Sequence, residues 1–298
     1  MFMHKDSMAP ELFIDLSGIR TRYFRQGDGP TVVLFHGGQL GSETDACSAE
    51  DWKPVFGLLS QQFRAVAMDR LGHGGTDNPL SDADFTMAAS IRHAVEFLRA
   101  LKSGPYHLVG HSTGGFLVTR IALEHPDLVR SCVVADGVSL YPGTGRDHIV
   151  RQNPPLPRLS RQCIRWVLER LCYDPRSVTD DWVEQMSSIA DTQRNCTAVH
   201  KMQDEGLKRT CYVPNIGKLL GFTHQQLLQN GLKCPTLLTW TLNDPTGDVA
   251  NGRLLVEMFQ AKQPETEVRY FNRVGHYGYR EQPKTFGHML KHYLSVHS

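Results

Sequence analysis

The chain has 298 residues, 40% of them hydrophobic and 21% charged, and its formal net charge is +1. This is the composition of an ordinary globular protein, and a chain of this length can form a single α/β unit. Because the charge is nearly balanced, we expect neither a nucleic-acid partner nor binding to an anionic membrane.

Short apolar runs that alternate with amphipathic stretches predict strands and helices in alternation. Leu12–Leu16 and Ile19–Phe24 are predicted to form a hairpin at the edge of a sheet. Trp52–Phe63 is a predicted helix between Thr31–Phe35 and Arg64–Met68. These last two runs are almost entirely apolar, as strands buried on both faces are.

The clearest predicted helix follows Phe85, where apolar residues from Met87 to Leu101 recur at helical spacing. The remaining elements are, in chain order, a strand at Tyr106–Gly110, a helix at Gly115–His125, strands at Val129–Ala135 and Thr236–Trp240, a helix at Asn251–Gln260, a strand at Val268–Phe271 and a helix at Gln282–Val296. This order predicts an α/β fold with a mostly parallel, eight-stranded sheet and helices on both faces.

Residues 138–233 interrupt the alternation. The segment opens with the Gly/Pro-rich stretch Tyr141–Pro157 and continues as several amphipathic helices with no clear strand. The simplest organisation is therefore a core domain of residues 1–137 and 234–298, with residues 138–233 inserted after the sixth strand as a helical lid.

The motif Gly110-His111-Ser112-Thr113-Gly114 fits the pattern G-x-S-x-G. It follows a predicted strand and precedes a predicted helix, which is the setting of a nucleophile elbow. Glycines flank such a turn because side chains there would collide with the neighbouring strand and helix. Ser112 is therefore the candidate nucleophile, and an ordinary Gly-rich turn is the weaker interpretation.

A serine hydroxyl needs a base, and that base needs an orienting acid. In folds of this kind the three residues occur in the order Ser, Asp or Glu, His. Asp244 and His276 fit, because both lie in loops that follow predicted strands. Asp248 and Asp136, which follows the sixth strand, are the alternatives for the acid.

An oxyanion formed at Ser112 requires preorganised hydrogen-bond donors. The backbone N–H of Thr113, directly after the nucleophile, is one expected donor. The second is expected from Gly38 in His36-Gly37-Gly38, because glycine lets the backbone approach a substrate closely. A plain turn is the alternative interpretation of this glycine pair.

The predicted lid has seven arginines between Arg146 and Arg176. Three of them, Arg158, Arg161 and Arg165, are predicted to share one helix face. A solvated face is the default interpretation. The sharper one is that an arginine of the lid holds a substrate carboxylate through a bidentate pair.

We expect no metal site. His288 and His292 lie four residues apart on the last predicted helix, but zinc needs further ligands and none accompanies them. The seven cysteines are scattered without a C-x-x-C pair, and the stretch Met1–Pro10 lacks the apolar core of a signal peptide. These features, and the absence of an apolar run long enough to span a bilayer, predict a cytoplasmic protein.

Taken together, these motifs resemble the α/β-hydrolase family and, within it, the meta-cleavage product hydrolases. The resemblance implies a cofactor-free, cytoplasmic enzyme of bacterial aromatic catabolism that cleaves a carbon–carbon bond in 2-hydroxy-6-oxohexa-2,4-dienoate acids. It covers nearly the whole chain and rests on the segments Leu34–Gly38, Phe63–Asp69, Gly75–Pro79, His107–Ser112, Tyr173–Thr179 and Leu238–Trp240, on Asp244, and on Gly275–His276.

Three positions depart from that family. His111 replaces the usual Asn before the nucleophile, Tyr277 replaces the Trp after the catalytic His, and Met186 replaces the lid arginine expected seven residues after a lid threonine. These changes predict a different substrate, less acidic or more bulky. The residues expected to contact it are Gly37, His111, Trp182, Met186 and Tyr277.

The first functional hypothesis is a Ser–His–Asp hydrolase of a carboxylic ester or lactone. The alternative, implied by the resemblance, is hydrolysis of a carbon–carbon bond next to a ketone, although Met186 cannot hold an acidic group. A third hypothesis is a non-catalytic receptor that retains the hydrolase pocket. The expected partner is a small-molecule substrate, and a homodimer is expected only because homodimers are common.

Overall fold

The computed structural model describes residues 8–298, so most of the polar stretch Met1–Pro10 lies outside the described residues. Within them, eight strands form one sheet in the order β1-β2-β4-β3-β5-β6-β7-β8. They are β1 (Glu11–Leu16), β2 (Ile19–Gln26), β3 (Thr31–Phe35), β4 (Arg64–Met68), β5 (Tyr106–His111), β6 (Val129–Ala135), β7 (Thr236–Thr241) and β8 (Glu267–Phe271).

The pairing of the strands is mostly parallel. β1 pairs antiparallel with β2, and β2 pairs antiparallel with β4. Every other neighbouring pair is parallel. The predicted α/β fold, its sheet and its edge hairpin are therefore confirmed.

The described chain contains eleven α-helices. They are α1 (Lys53–Leu59), α2 (Met87–Leu101), α3 (Thr113–Glu124), α4 (Asp147–Val150), α5 (Arg161–Leu171), α6 (Asp180–Ala190), α7 (Gln193–Gln203), α8 (Val213–Asn230), α9 (Val249–Gln260), α10 (Gly278–Glu281) and α11 (Pro283–Val296). Short 3₁₀ turns occupy Ala49–Trp52, Asp82–Asp84, Pro126–Leu128 and Pro175–Ser177, and a π-helical turn occupies Lys208–Tyr212. None of the helices within residues 8–298 is long and apolar enough to cross a membrane.

The sheet separates two apolar cores because successive strand residues face opposite sides. On one side Val32 belongs to a cluster with Trp52 and residues of α1 and α11. On the other side Val33 belongs to a cluster with Phe97 and residues of α2, α3 and α9. Each fully buried side chain of this kind contributes roughly 1.5–3 kcal/mol, so both faces of the central strands are stabilised by burial.

The segment between β6 and β7 contains α4 to α8 and, among the described residues, no strand of the sheet. α5 packs on α6, and α8 lies against α2 and α9. The Ser160 hydroxyl accepts a hydrogen bond from the Cys163 N–H and caps the start of α5. Arg158 therefore lies before this helix, and the predicted helix face is wrong for Arg158 but holds for Arg161 and Arg165.

A close approach of α3 to the sheet depends on two glycines. A Cβ atom on Gly110 would overlap the Gly114 carbonyl oxygen, and one on Gly114 would overlap the Phe35 carbonyl oxygen. Without these side chains the first turn of α3 lies directly against β3 and β5. This approach fixes where the chain reverses between β5 and α3.

We expect Gly110→Ala to lower the free energy of unfolding, because its methyl group would overlap backbone atoms that cannot move without displacing α3. Gly217→Ala is the matched control, since Gly217 lies inside α8 with no atom within 4 Å of an added Cβ. It should raise stability by roughly 0.5–1 kcal/mol. Thermal or urea unfolding of both variants checks this, and equal effects would contradict it.

Candidate active site

The turn between β5 and α3 holds Ser112 in a strained conformation. Its backbone has φ +53° and ψ −119°, a region that costs a non-glycine residue roughly 1–3 kcal/mol. The Ser112 N–H donates to the Ala135 carbonyl at 2.9 Å, and the Ser112 carbonyl accepts from the Gly115 N–H at 2.9 Å. These bonds hold the serine in a geometry that the nucleophile elbow requires.

His276 and Asp244 meet at the carboxyl ends of β8 and β7. The two buried side chains are joined by a hydrogen bond of 2.7 Å from His276 Nδ1 to Asp244 Oδ2. The other carboxylate oxygen of Asp244 accepts from the N–H of Thr246 at 2.8 Å and from its hydroxyl at 2.7 Å. The sequence reasoning missed Thr246, although a threonine two residues after the aspartate could have indicated such a turn.

Neither alternative acid contacts His276. Asp136 is buried and accepts a hydrogen bond of 2.8 Å from the Thr241 N–H. Burial and the nearby charge of Asp244 raise the pKa of Asp136 well above its usual value. Asp248 caps α9 at the surface and pairs with Arg146 at 2.7 Å. Of the three carboxyl groups, Asp244 alone can orient the imidazole.

The environment of His276 favours a base that can accept a proton and hold it. Burial lowers the pKa of His276, but the charge of Asp244 and its hydrogen bond outweigh this, and the pKa is raised above its ordinary value. With Nδ1 donating to Asp244, the neutral ring has its free lone pair on Nε2. That nitrogen is available to take a proton from a neighbouring hydroxyl.

Gly38 and Thr113 come together beside Ser112. Gly38 has φ +87°, and a Cβ there would lie 2.9 Å from Cys47 Cβ. The Thr113 hydroxyl donates to the Gly38 carbonyl at 2.7 Å, and its N–H belongs to the first turn of α3, where N–H groups lack helical partners. Gly37 lies buried behind Ser112, where an added Cβ would be 3.0 Å from Ser112 Cβ.

His111 ties the nucleophile turn to the histidine loop. Its Nε2 donates to the His276 carbonyl at 2.7 Å, and its Nδ1 accepts from the Tyr279 hydroxyl at 3.2 Å. Burial and the neighbouring His276 lower the pKa of His111 well below its usual value, so its ring is neutral. His111 thus supports the histidine loop as well as lining the cavity, and Tyr279 is a supporting residue that the sequence did not indicate.

A cavity of about 590 Å³ opens beside these residues. It is lined by Ser112, His276 and Tyr277 from the sheet side and by residues of the helical segment that include Arg151, Arg158 and Lys208. Sites for small ligands in proteins are commonly cavities of this size.

Most charges in the cavity wall are paired. Arg151 pairs with Asp45 and, at 2.6 Å, with Asp147, while Arg158 pairs with Glu43 at 2.7 Å. Within residues 8–298, Lys208 has no carboxylate oxygen within 4.0 Å. Lys208 is therefore the cation of the cavity wall that remains available to an anionic group.

Three residues expected to contact substrate do not line the cavity: Gly37, which lies behind Ser112, and Trp182 and Met186 on α6. Trp182 is 2% exposed and packs edge-on against Tyr277, with ring centroids 4.9 Å apart. Met186 is fully buried in the core cluster that α6 joins. Neither lines the cavity, because the apolar face of α6 is turned towards the sheet domain. The lack of an arginine at Met186 therefore carries no information about the charge of the cavity.

The strand order and the turn that carries Ser112 define a hydrolase-type α/β protein. A profile of the alpha/beta hydrolase family matches residues 32–287, which is most of the chain. The chain belongs to the alpha/beta hydrolase family.

The chain is similar in sequence to characterised hydrolases of the same family. The chain is 34% identical to 2-hydroxy-6-oxo-6-(2'-aminophenyl)hexa-2,4-dienoic acid hydrolase of Metapseudomonas resinovorans, over 45% of each chain. It is 30% identical to 2-hydroxymuconate semialdehyde hydrolase of Pseudomonas sp. strain CF600, over 61% of this chain and 62% of that one. The matches thus span about half to three fifths of the relatives' length.

Solved structures agree with the fold. The 2-hydroxy-6-oxo-6-phenylhexa-2,4-dienoate hydrolase of a Rhodococcus species superposes with a TM-score of 0.78, over 98% of this chain and all of the other. The two sequences are 18% identical, so this likeness describes the fold alone.

We expect Asp244→Asn to lower kcat by roughly 10⁴-fold, since the amide would favour the wrong imidazole tautomer. A histidine that acts as the base must be neutral, so we expect kcat/KM of the unchanged protein to fall as the pH drops through the raised pKa of His276. Removing the charge at Asp244 should move this inflection to lower pH. Hydrolysis rates between pH 5 and 9 measure both effects.

Asp248→Asn is the matched control, because Asp248 is an exposed aspartate of the same loop and caps α9. It should leave the rate and the inflection unchanged. A larger loss in Asp248→Asn than in Asp244→Asn would contradict the assignment of the acid.

Proposed function

We propose that this protein is a serine hydrolase in which Ser112 is the nucleophile, His276 the base and Asp244 the acid that orients the base. The observation that carries the proposal is the 2.7 Å bond between His276 and Asp244 beside a strained serine that lines the same cavity. Among residues 8–298 no hydrogen bond joins Ser112 Oγ to His276. Such bonds are often long in unliganded enzymes and shorten with substrate.

In the proposed reaction Ser112 Oγ attacks the acyl carbon while its proton passes to His276 Nε2. The carbonyl oxygen becomes an oxyanion and accepts hydrogen bonds from the backbone N–H groups of Gly38 and Thr113. His276 then protonates the leaving group. Water attacks the acyl-enzyme, gives a proton to His276 and releases the acid, and the proton returns to Ser112 Oγ.

A carboxylic ester or lactone is the first substrate class, because its cleavage needs no group beyond the triad and the two N–H donors. The cavity has room for a small acyl group and its leaving group. We also propose that the protein acts on a soluble small molecule in the cytoplasm, without a cofactor or metal. A homodimer is part of the same proposal, and light scattering tests it.

A second candidate is hydrolysis of a carbon–carbon bond next to a ketone in an acidic substrate. Two observations favour it: Lys208 in the cavity wall has no carboxylate partner among the described residues, and the relatives are named as dienoate and semialdehyde hydrolases. The presence of Met186 does not argue against an acidic substrate, because Met186 lies outside the cavity. An enol substrate would first become its keto form and then follow the same acyl-enzyme route.

A paired assay tests the proposed function. The unchanged protein and Ser112→Ala are compared on p-nitrophenyl butyrate and on a 6-phenyl meta-cleavage dienoate. We expect turnover of at least one substrate by the unchanged protein and a loss of roughly 10⁶-fold in kcat for Ser112→Ala, because the attacking oxygen is gone. Equal rates for the two proteins would contradict the proposal. Slow single turnover with a retained ligand would favour the receptor hypothesis.

The two substrate classes differ in how they depend on Lys208. We expect Lys208→Met to raise KM for the dienoate by roughly tenfold or more, which is the loss of one hydrogen bond to a charged group. The KM for the neutral ester should stay unchanged. Lys218→Met is the matched control, since Lys218 is exposed on α8 and does not line the cavity. An unchanged KM for the dienoate in Lys208→Met would contradict a carboxylate contact there.

A further inference from the structure

Arg70 has no part in the reaction proposed for Ser112 and His276, although its side chain contacts Gly38 and Thr113 beside Ser112. Arg70 follows β4 and is 2% exposed. Within residues 8–298 no carboxylate oxygen lies within 4.0 Å of its guanidinium, and burial lowers the pKa of Arg70 from its ordinary value. An arginine stays charged in proteins, and burying a charge without an opposite partner is costly. Such an arrangement points to a function that needs the charge.

The guanidinium contacts both residues of the proposed oxyanion hole. Nη1 donates to Thr113 Oγ1 at 2.7 Å, and Nη2 donates to the Gly38 carbonyl at 2.7 Å. The Thr113 hydroxyl itself donates to the same Gly38 carbonyl at 2.7 Å. Three hydrogen bonds of equal length thus close a triangle that fixes the Gly38 backbone against the first residue of α3.

Two neutral histidines complete the surroundings of Arg70. Nη2 also lies 3.3 Å from His73 Nε2, and the Arg70 N–H donates to His36 Nε2 at 3.1 Å. His36 in turn donates through Nδ1 to the Gly37 carbonyl at 2.7 Å. Burial, and next the charge of Arg70, lower the pKa of His73 to about 3. Neither ring is charged, and neither cancels the charge of the guanidinium.

The charge of Arg70 has the same sign as the partial charge of the helix end beside it. The first turn of α3 carries a partial positive charge from its free N–H groups. A buried cation against that turn adds to the positive potential where the oxyanion would form. In a buried site such a potential is screened far less than in water.

We propose that Arg70 is the positioning residue of the oxyanion hole: it fixes the Gly38 and Thr113 donors in place and supplies a buried positive charge that stabilises the oxyanion. This inference rests on the proposed serine-hydrolase function. It assigns Arg70 a role in the transition state and not in the binding of the ground-state substrate. Interactions made only in the transition state change kcat and leave KM nearly constant.

The experiment compares Arg70→Met with Arg120→Met. Arg120 is an equally buried arginine on α3, but it pairs with Glu124 and lies away from the cavity. For each protein we would measure kcat and KM on the substrate that turns over, the affinity for an aryl trifluoromethyl ketone, and the midpoint of thermal unfolding. With this ketone Ser112 Oγ adds to the carbonyl carbon, its proton passes to His276, and the ketone oxygen becomes the oxyanion.

We expect Arg70→Met to lower both kcat and ketone affinity by roughly 100-fold, as the loss of an oxyanion-hole donor does, with KM within about threefold. Arg120→Met should lower the unfolding midpoint without changing kcat or ketone affinity. The inference is overturned if Arg70→Met keeps the affinity of the unchanged protein for the ketone. It is also overturned if KM rises as much as ketone affinity falls, since that would indicate only a structural role.

Arg70→Lys serves if the Met variant does not fold. Lysine keeps the charge but cannot donate to Gly38 and Thr113 with the fixed fork of a guanidinium. We expect a smaller loss of ketone affinity, about tenfold, and full affinity in a folded Lys variant would overturn the positioning role. If the unchanged protein is inactive on every substrate the proposed function fails, whereas an active protein insensitive to Arg70 removes this inference alone.

Discussion

The site depends on the close approach of α3 to β3 and β5. Since Gly110 and Gly114 have no side chains, the helix begins directly at the carboxyl edge of the sheet, and Ser112 must turn through a strained backbone to enter it. The loops after β7 and β8 end at the same edge and bring Asp244 and His276 to it. The loop after β3 contributes Gly38. A packing constraint in the core thus assembles residues that are far apart in sequence.

The surroundings of the histidine extend this constraint to the helical segment. The His276 N–H donates to the Leu171 carbonyl at the end of α5 at 2.7 Å. Gly275 allows the contact, because a side chain there would overlap that same carbonyl oxygen. From the other side His111 donates to the His276 carbonyl. His276 is therefore held through its backbone on two sides and through its ring by Asp244, an arrangement that would leave little freedom to be lost in the proposed reaction.

The sequence was sufficient to predict those features that depend on a local pattern of residues, namely the strands and the motifs of the site. Apolar runs identified all eight strands, and the glycine motif and the order of Ser112, Asp244 and His276 identified the residues that the fold brings to one edge. It was less informative about side chains whose roles depend on packing between distant segments. Trp182 and Met186 form an apolar stripe on α6 that turns to the core, and Arg70 and Thr246 carry no motif of their own. The division at residues 138 and 233 and the catalytic roles stay predictions.

The helical segment between β6 and β7 has two parts, and substitutions in them should have different effects during evolution. One part, α5 and α6, is hydrogen-bonded to the backbone of His276 or buried in the core, so substitutions there would disturb the proposed base. The cavity wall from this segment comes instead from Val138 and Ser139, from eight residues between Gly145 and Arg158, and from Lys208. Mutations in that second part can change the shape and charge of the cavity without altering Ser112, Asp244 or His276. Selection for a new substrate can therefore act mainly on the stretch between Gly145 and Arg158, while the proposed triad is retained.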